Sequence, residues 1–293
     1  MKGFALFQRK SKATARAAVM LLPEQILLAS LTGTSRFIRK PILKGSSWQS
    51  TLVTVLREEK LTGALIHVVL EHTQYQQFSI ERPDVPEDEL AGALPWAIKD
   101  FTSEPVTQLA VDYYNGLTNP LARPRLQVIC SPKRRIQEWV SALESEAELE
   151  EITTDELALA DLFGEQSKVD VLLYQLPEQE LLMLAVYKGQ LCFSRTLRGF
   201  QVLTQLPAVQ WPEMLLDNLM LELQRSFDYL VSQLKLPDVA AIHVAVSMSD
   251  PVELLRPLKQ NFSVPAKLMA NAAVLHGFEF LPLFGVLQEP QPA

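Results

Sequence analysis

Residues 17–31 read AAVMLLPEQILLASL, and residues 169–186 read VDVLLYQLPEQELLMLAV. Each is an apolar run of strand length, a polar break, and a second apolar run, the pattern of a β-hairpin. In the first copy residues 17–22 and 26–31 form the strands and Pro23-Glu24-Gln25 the turn. In the second, residues 169–176 and 181–186 form the strands and Pro177-Glu178-Gln179 the turn. So short a match can arise by chance, but its equal placement at the head of both halves is what two lobes of duplicated architecture would produce.

Outward from the first hairpin, residues 37–43 read as a third strand. Residues 48–59 follow a serine-rich start and carry Leu52, Val55 and Leu56 at helical spacing. Residues 64–70 are a continuous apolar run, as in a strand buried on both faces of a parallel sheet. Three strands, a helix and a strand make a mixed α/β lobe. The second half repeats the order: a strand at 190–197, a long amphipathic helix at 211–234, a buried strand at 240–246, a helix at 251–260, a short extended piece at 266–269, and a terminal helix over 271–288 broken or kinked at Pro282.

Between them, residues 74–150 read as a small inserted subdomain. A helix opens at Pro86-Glu87-Asp88-Glu89 and runs through Leu90, Leu94, Ile98 and Phe101; strands follow at 109–114 and 126–130, then a helix at 133–146. The expected division is a basic N-terminus (1–16), a first lobe (17–73), the insert (74–150), a connecting helix (151–167), a second lobe (168–288) and a tail (289–293).

The chain has 293 residues, 48% of them hydrophobic, enough for one bilobal core or two. A formal net charge of -7 argues against the broad basic surface that nucleic-acid binding needs. Cys130 and Cys192 sit in apolar strand-like runs and read as buried thiols of a reducing compartment. The four histidines, His67, His72, His243 and His276, show no metal-ligand spacing. No run approaches the roughly 20 apolar residues that span a bilayer, and the N-terminus lacks the pattern of a signal peptide, so a cytoplasmic protein is expected. Lys2, Arg9, Lys10, Lys12 and Arg16 with Phe4, Leu6 and Phe7 admit either a weak lipid contact or a solvated end.

Glu87, Asp88 and Glu89 suit a helix N-terminus better than a metal or acid–base site. The run Glu144, Glu146, Glu148, Glu150 and Glu151 reads as a solvated face or loop, and Lys133-Arg134-Arg135 as a basic helix start. No serine sits in a G-x-S-x-G elbow, and no GxxxxGK[ST] loop occurs. Trp96 admits two readings, a peptide anchor or a core residue at helical spacing.

Several segments resemble PilM-type pilus-assembly proteins, in particular those serving mannose-sensitive haemagglutinin pili. They are Leu94-Pro95-Trp96-Ala97-Ile98-Lys99-Asp100 with Glu104-Pro105-Val106 and Val111-Asp112-Tyr113-Tyr114; Ile152-Thr153-Thr154-Asp155-Glu156-Leu157-Ala158-Leu159; and Arg195-Thr196-Leu197-Arg198-Gly199 with Leu221-Glu222-Leu223-Gln224-Arg225-Ser226-Phe227-Asp228-Tyr229. The resemblance implies an actin-like (ribonuclease H-like) bilobal α/β fold with mixed sheets and a small inserted α+β subdomain. It also implies a place in type IV pilus assembly, capturing the cytoplasmic tail of a PilN-like bitopic inner-membrane protein, with self-association into a ring or oligomer and no direct membrane anchor. Leu94, Trp96, Ile98 and Phe101 are the candidate partner-binding residues.

Actin-like ATPases cradle phosphate in two hairpin turns whose small residues let backbone N–H groups approach the anion. Here those turns are Pro23-Glu24-Gln25 and Pro177-Glu178-Gln179, without glycine, with a proline that has no N–H, and with an acid in each. A third candidate turn, Ser247-Met248-Ser249-Asp250-Pro251, has no glycine pair. No bound cofactor and no catalysis are therefore expected. The competing expectations are an ATP-binding switch of the same machine, and a GspL-like secretion component docking a motor ATPase. Against the latter stands the lack of a membrane helix after the second lobe, which that group normally carries.

Overall fold

The computed structural model describes residues 15–31, 33–116 and 124–288, so the basic N-terminus up to residue 14 and the tail from residue 289 lie outside the described residues. The chain divides into two compact units, one running to Ala158 and including Pro282–Leu287, the other comprising the remainder from Leu159.

The first unit opens with β1 (Arg16–Leu22), β2 (Gln25–Ser30), β3 (Arg36–Pro41), α1 (Trp48–Glu58) and β4 (Leu65–Leu70). It continues through β5 (Gln76–Glu81), α2 (Glu87–Ala97), β6 (Leu109–Asn115), β7 (Arg125–Pro132), α3 (Lys133–Leu143) and β8 (Glu148–Thr154) into α4 (Asp155–Ala160). One five-stranded sheet has the order β3-β2-β1-β4-β8, antiparallel across β3-β2-β1 and parallel across β1-β4-β8. Strands β1 and β4 lie at the centre of the sheet and are buried along most of their length, which their near-continuous apolar runs require. The edge strand β3 carries Arg36, Arg39 and Lys40, charges that keep an open edge from pairing with another chain.

Helix α1 starts where the Ser47 hydroxyl accepts the Ser50 N–H at 3.1 Å. It buries Thr51, Leu52, Val55 and Leu56 and ends before Lys60, which has left-handed φ of 58°. Its apolar face shares one core with β1, β2 and β4 and with Trp139, Ala142 and Leu143 of α3. The Trp48 and Trp139 rings lie 4.5 Å apart, centroid to centroid.

In the second unit, β9 (Val169–Gln175), β10 (Leu181–Tyr187) and β11 (Gln190–Leu197) precede α5 (Val202–Gln205) and α6 (Leu215–Ser232). Then come β12 (Val239–Val246), α7 (Val252–Asn261), β13 (Ala266–Leu268) and α8 (Leu281–Leu287), most of which clusters with the first unit. The sheet order is β11-β10-β9-β12-β13, with the same sequence of antiparallel and parallel pairings. The duplication suggested by the two hairpins is thus present in the backbone, strand for strand.

The correspondence also redraws the insert. In the second unit β12 passes through α7 to β13; in the first, β4 reaches β8 through α3 after a detour. Helix α3 packs in the lobe core and β8 pairs with β4, so neither belongs to the insert, as a boundary at 150 required. The detour is β5, α2, β6 and β7. Its three-stranded sheet, ordered β5-β7-β6, has its own core of Ile80, Leu90, Leu94, Ile98, Leu109, Leu126, Val128 and Cys130. Helix α2 continues through Pro95 to Ala97, the proline forfeiting the N–H bond to the Ala91 carbonyl near the helix end. The terminal helix expected over 271–288 is instead two 3₁₀ turns, at Ala273–Leu275 and Phe278–Phe280, and then α8, with Pro282 in its first turn, where a missing N–H costs nothing.

Candidate functional site

The two Pro-Glu-Gln turns share a tetrapeptide but differ in backbone. In the first, Leu22 pairs with Gln25, leaving Pro23 and Glu24 as a two-residue loop, and neither takes positive φ. Gln25 is already strand, paired with Pro41 of β3. Proline cannot adopt the φ > 0 of the usual two-residue hairpin turns, so this loop avoids the primed geometry. The Glu24 carbonyl accepts the Ile42 N–H at 2.8 Å.

In the second, β9 ends at Gln175 and residues 176–180 form the loop, with Glu178 held at φ 63°. Gln175, wholly buried, donates its side-chain amide to the carbonyls of Gln179 at 2.7 Å and Phe200 at 2.9 Å. The Gln179 N–H is taken by the Leu176 carbonyl, and the Ser247 N–H by the Gln175 carbonyl. The Gly199 N–H donates to Glu180 Oε2 at 2.9 Å. The carbonyl oxygens of Gln179 and Phe200 converge on the Gln175 amide, and the N–H groups of Gln179, Gly199 and Ser247 are already taken. In the third turn, Asp250 Oδ1 accepts the Val252 N–H at 3.0 Å, starting α7.

The four candidate partner-binding residues separate. Leu94 and Ile98 are buried in the insert's own core, because they lie on the α2 face that covers the small sheet. They are unavailable to a partner, which corrects the sequence assignment. Trp96 and Phe101 are 63% and 62% exposed. The core reading of Trp96 is therefore overturned. Phe101 rests against Phe78 of β5, centroids 5.8 Å apart. Both rings stand on the surface of the insert, accessible to a partner.

Sequence reasoning passed over the cluster where the insert leaves β4. Glu71, 3% exposed, lies 2.6 Å from His72 Nδ1 through its Oε1, and its Oε2 accepts the Thr73 N–H at 3.0 Å and the Thr73 hydroxyl. Asp155, at the start of α4, accepts the His72 N–H at 3.0 Å and the Tyr75 hydroxyl at 2.7 Å. Gln74 donates to the Leu21 carbonyl at 2.9 Å, and Ser131 to the Gln74 carbonyl at 2.9 Å. Burial opposes the charged His72 ring, but Asp155 and Glu71 outweigh it and the pKa is pushed up to about 10. Burial likewise opposes the Glu71 carboxylate, yet the His72 and Thr73 bonds leave its pKa lowered. Burial and then the Asp155 charge push the Tyr75 hydroxyl well above its ordinary range. The cluster clamps the insert's root to the ends of β1, β4 and β8. The signal that would have found it is a Glu-His pair at a strand end and an aspartate at a helix start, but only folding joins them.

The acidic run is loop at Glu144 and Glu146, as one of the two expectations had it, but enters strand β8 at Glu148, and of the five acids only Glu144 and Glu151 are exposed. Glu146 takes a bidentate grip from Arg57, with Nε to Oε2 at 2.9 Å, and Glu150 meets Arg16 at 2.9 Å and His67 at 3.0 Å. Glu87 accepts from the Tyr113 hydroxyl at 3.1 Å and pairs with Arg82. Cys130 and Cys192 are free, and burial pushes their thiols up to about 11 and about 12. Among the described residues, no group of three His, Cys, Asp or Glu side chains is placed to hold a metal ion, and no helix is long and apolar enough to cross a membrane.

No family model and no curated protein matches the chain. Solved structures do. A PilM–PilN type IV pilus biogenesis complex superposes with a TM-score of 0.64 at 15% identity, over 93% of this chain and 97% of that one. The cytoplasmic domain of EpsL, an inner-membrane component of the type II secretion system of Vibrio cholerae, gives 0.55 at 12% identity over 94% and 95%. A Bacteroides thetaiotaomicron protein with an actin-like ATPase fold gives 0.51 at 14% identity over 89% and 94%. Two duplicated α/β units, an insert between corresponding strands of the first, and these likenesses across nearly the full length define the fold as actin-like.

Proposed function

We propose that this chain is a non-catalytic docking component of a type IV pilus or related secretion machine. It would work on the cytoplasmic side of the inner membrane and be held there by a partner. The insert takes a short apolar segment from the cytoplasmic tail of a PilN-like bitopic protein. The observation that carries this reading is the exposure of Trp96 and Phe101 on the insert, in a fold like that of the PilM–PilN complex. A peptide laid against such aromatics gains most of its affinity from a few buried anchors. Residues 94–100 and 195–229 support the finer assignment to MshI-like proteins of mannose-sensitive haemagglutinin pili.

The second turn supports the absence of nucleotide chemistry. Its carbonyls converge on the Gln175 amide and Glu178 adds a negative charge, where phosphate binding needs N–H donors.

The test is calorimetry with a synthetic cytoplasmic-tail peptide of a PilN-like protein from the same organism. Saturable binding that weakens about tenfold in Trp96→Ala or Phe101→Ala supports the reading, and no binding at millimolar peptide rejects it. Saturable binding of magnesium-ATP by equilibrium dialysis would reject the non-nucleotide part. The likeness to the EpsL cytoplasmic domain favours a second reading, a secretion-system component that docks a motor ATPase. Capture of a purified motor ATPase with no affinity for the tail would select it.

A further inference from the structure

Two segments far apart in sequence, residues 195–200 and 215–225, line one cavity of about 520 Å³ in the second unit. Its polar wall is cationic. Glu222 of α6 is gripped by Arg195 of β11 and, at 2.8 Å, by Arg225 Nη1. Arg195 also donates to the Ser226 hydroxyl at 3.2 Å, so its guanidinium is held from two sides. Arg198 is exposed on the rim and makes no ion pair among the described residues. Glu180 reaches the rim through its bond to the Gly199 N–H, so three arginines face two carboxylates. The other wall is aliphatic: Leu197, Leu215 and the half-exposed Leu221 line it. Beside it in sequence, Leu206, Val209 and Met214 are exposed at 39%, 91% and 57%.

We infer that this cavity is a second docking site, which takes an acidic, aliphatic peptide segment of a partner protein. A guanidinium beside an apolar wall matches a carboxylate next to a leucine-type side chain. On a chain of net charge -7, a local excess of arginine discriminates sharply for such a segment. A nucleotide or free phosphate fits less well, because the Gly199 N–H is spent on Glu180, Glu222 sets a carboxylate between Arg195 and Arg225, and Leu197, Phe200, Leu215 and Leu221 make the rest of the wall apolar beside Thr196 and Asn218. The site lies in the other unit from Trp96 and Phe101 and does not depend on the reading given to them.

Fluorescence anisotropy with a labelled peptide of alternating glutamate and leucine, titrated with the full chain, tests it. Arg198→Glu and Leu221→Asp change exposed side chains and so leave the fold intact; each weakens binding about tenfold, while Trp96→Ala leaves it unchanged. A control peptide with lysine in place of glutamate does not bind. No binding of the acidic peptide, equal binding of the lysine peptide, or full competition by millimolar inorganic phosphate would overturn the inference. So would a dimer that Arg198→Glu disperses, which assigns the surface to a second copy.

Discussion

At the scale of single residues, neighbours along α2 have opposite fates. Leu94 points into the insert's core and Trp96 into solvent. Replacing Leu94 with Ala removes a buried side chain and leaves a void, so urea denaturation is expected to show a loss of about 2–5 kcal/mol. Trp96→Ala changes stability by no more than about 0.5 kcal/mol while weakening the tail peptide, and a larger stability loss would mean that the indole is packed after all.

The Glu71–His72–Asp155 cluster makes stability depend on pH with a definite sign. His72 has a raised pKa, so its contribution is fully present below its ordinary value of 6.5 and is lost as pH rises through about 10. Glu71 has a lowered pKa, so its contribution is present above 4.5 and is lost as pH falls through its depressed folded value. Stability measured from pH 6 to 10 should therefore fall in the wild type, and His72→Gln should flatten that alkaline slope. An unchanged slope would show that the ring is not held charged.

At the scale of elements, the second hairpin loop stores strain that the first does not. Glu178 at φ 63° costs roughly 1 kcal/mol that glycine would not. Glu178→Gly is therefore expected to raise the melting temperature by a few degrees, provided the Gln175 bonds persist. Gln175→Leu leaves the carbonyls of Gln179 and Phe200 without their donor and should cost about 1–3 kcal/mol. Differential scanning calorimetry of the two variants separates the effects, which run in opposite directions. The same tetrapeptide closes a two-residue loop in β1–β2 because register, fixed by β3 and β4 on either side, leaves only Pro23 and Glu24 between the strands.

At the scale of the whole molecule, the insert is an interruption of a repeat that is complete without it. The second unit passes from β12 through α7 to β13 with no detour. Excising residues 76–131 and bridging β4 to α3 with a short flexible linker should leave a cooperatively folding protein that no longer binds the tail. Some stability is lost, because Ile129 packs against the lobe core and Ser131 holds the Gln74 carbonyl. Loss of cooperative unfolding by circular dichroism would show that the insert is required for the lobe.

Periodicity alone set the hairpins, the long α6, the buried central strands and the duplicated order, because runs of alternating and continuous apolar residues permit few layered arrangements. The absence of glycine from the turns was also legible as written, but the backbone each takes was not, since the same tetrapeptide closes a two-residue loop in one and holds Glu178 at φ 63° in the other. The remainder was decided in three dimensions. Which strand pairs with β4 depends on contacts across the whole detour, so the insert's end shifted and the acidic run became the paired strand β8. Which side of α2 faces the small sheet sent Leu94 and Ile98 inward and left Trp96 outside, a difference of one helical face that apolar spacing does not resolve. The clamp of His72 with Asp155 and the cavity of Arg195 with Arg225 join residues whose proximity exists only after the sheets close, because charges find partners through space and leave no period in the chain.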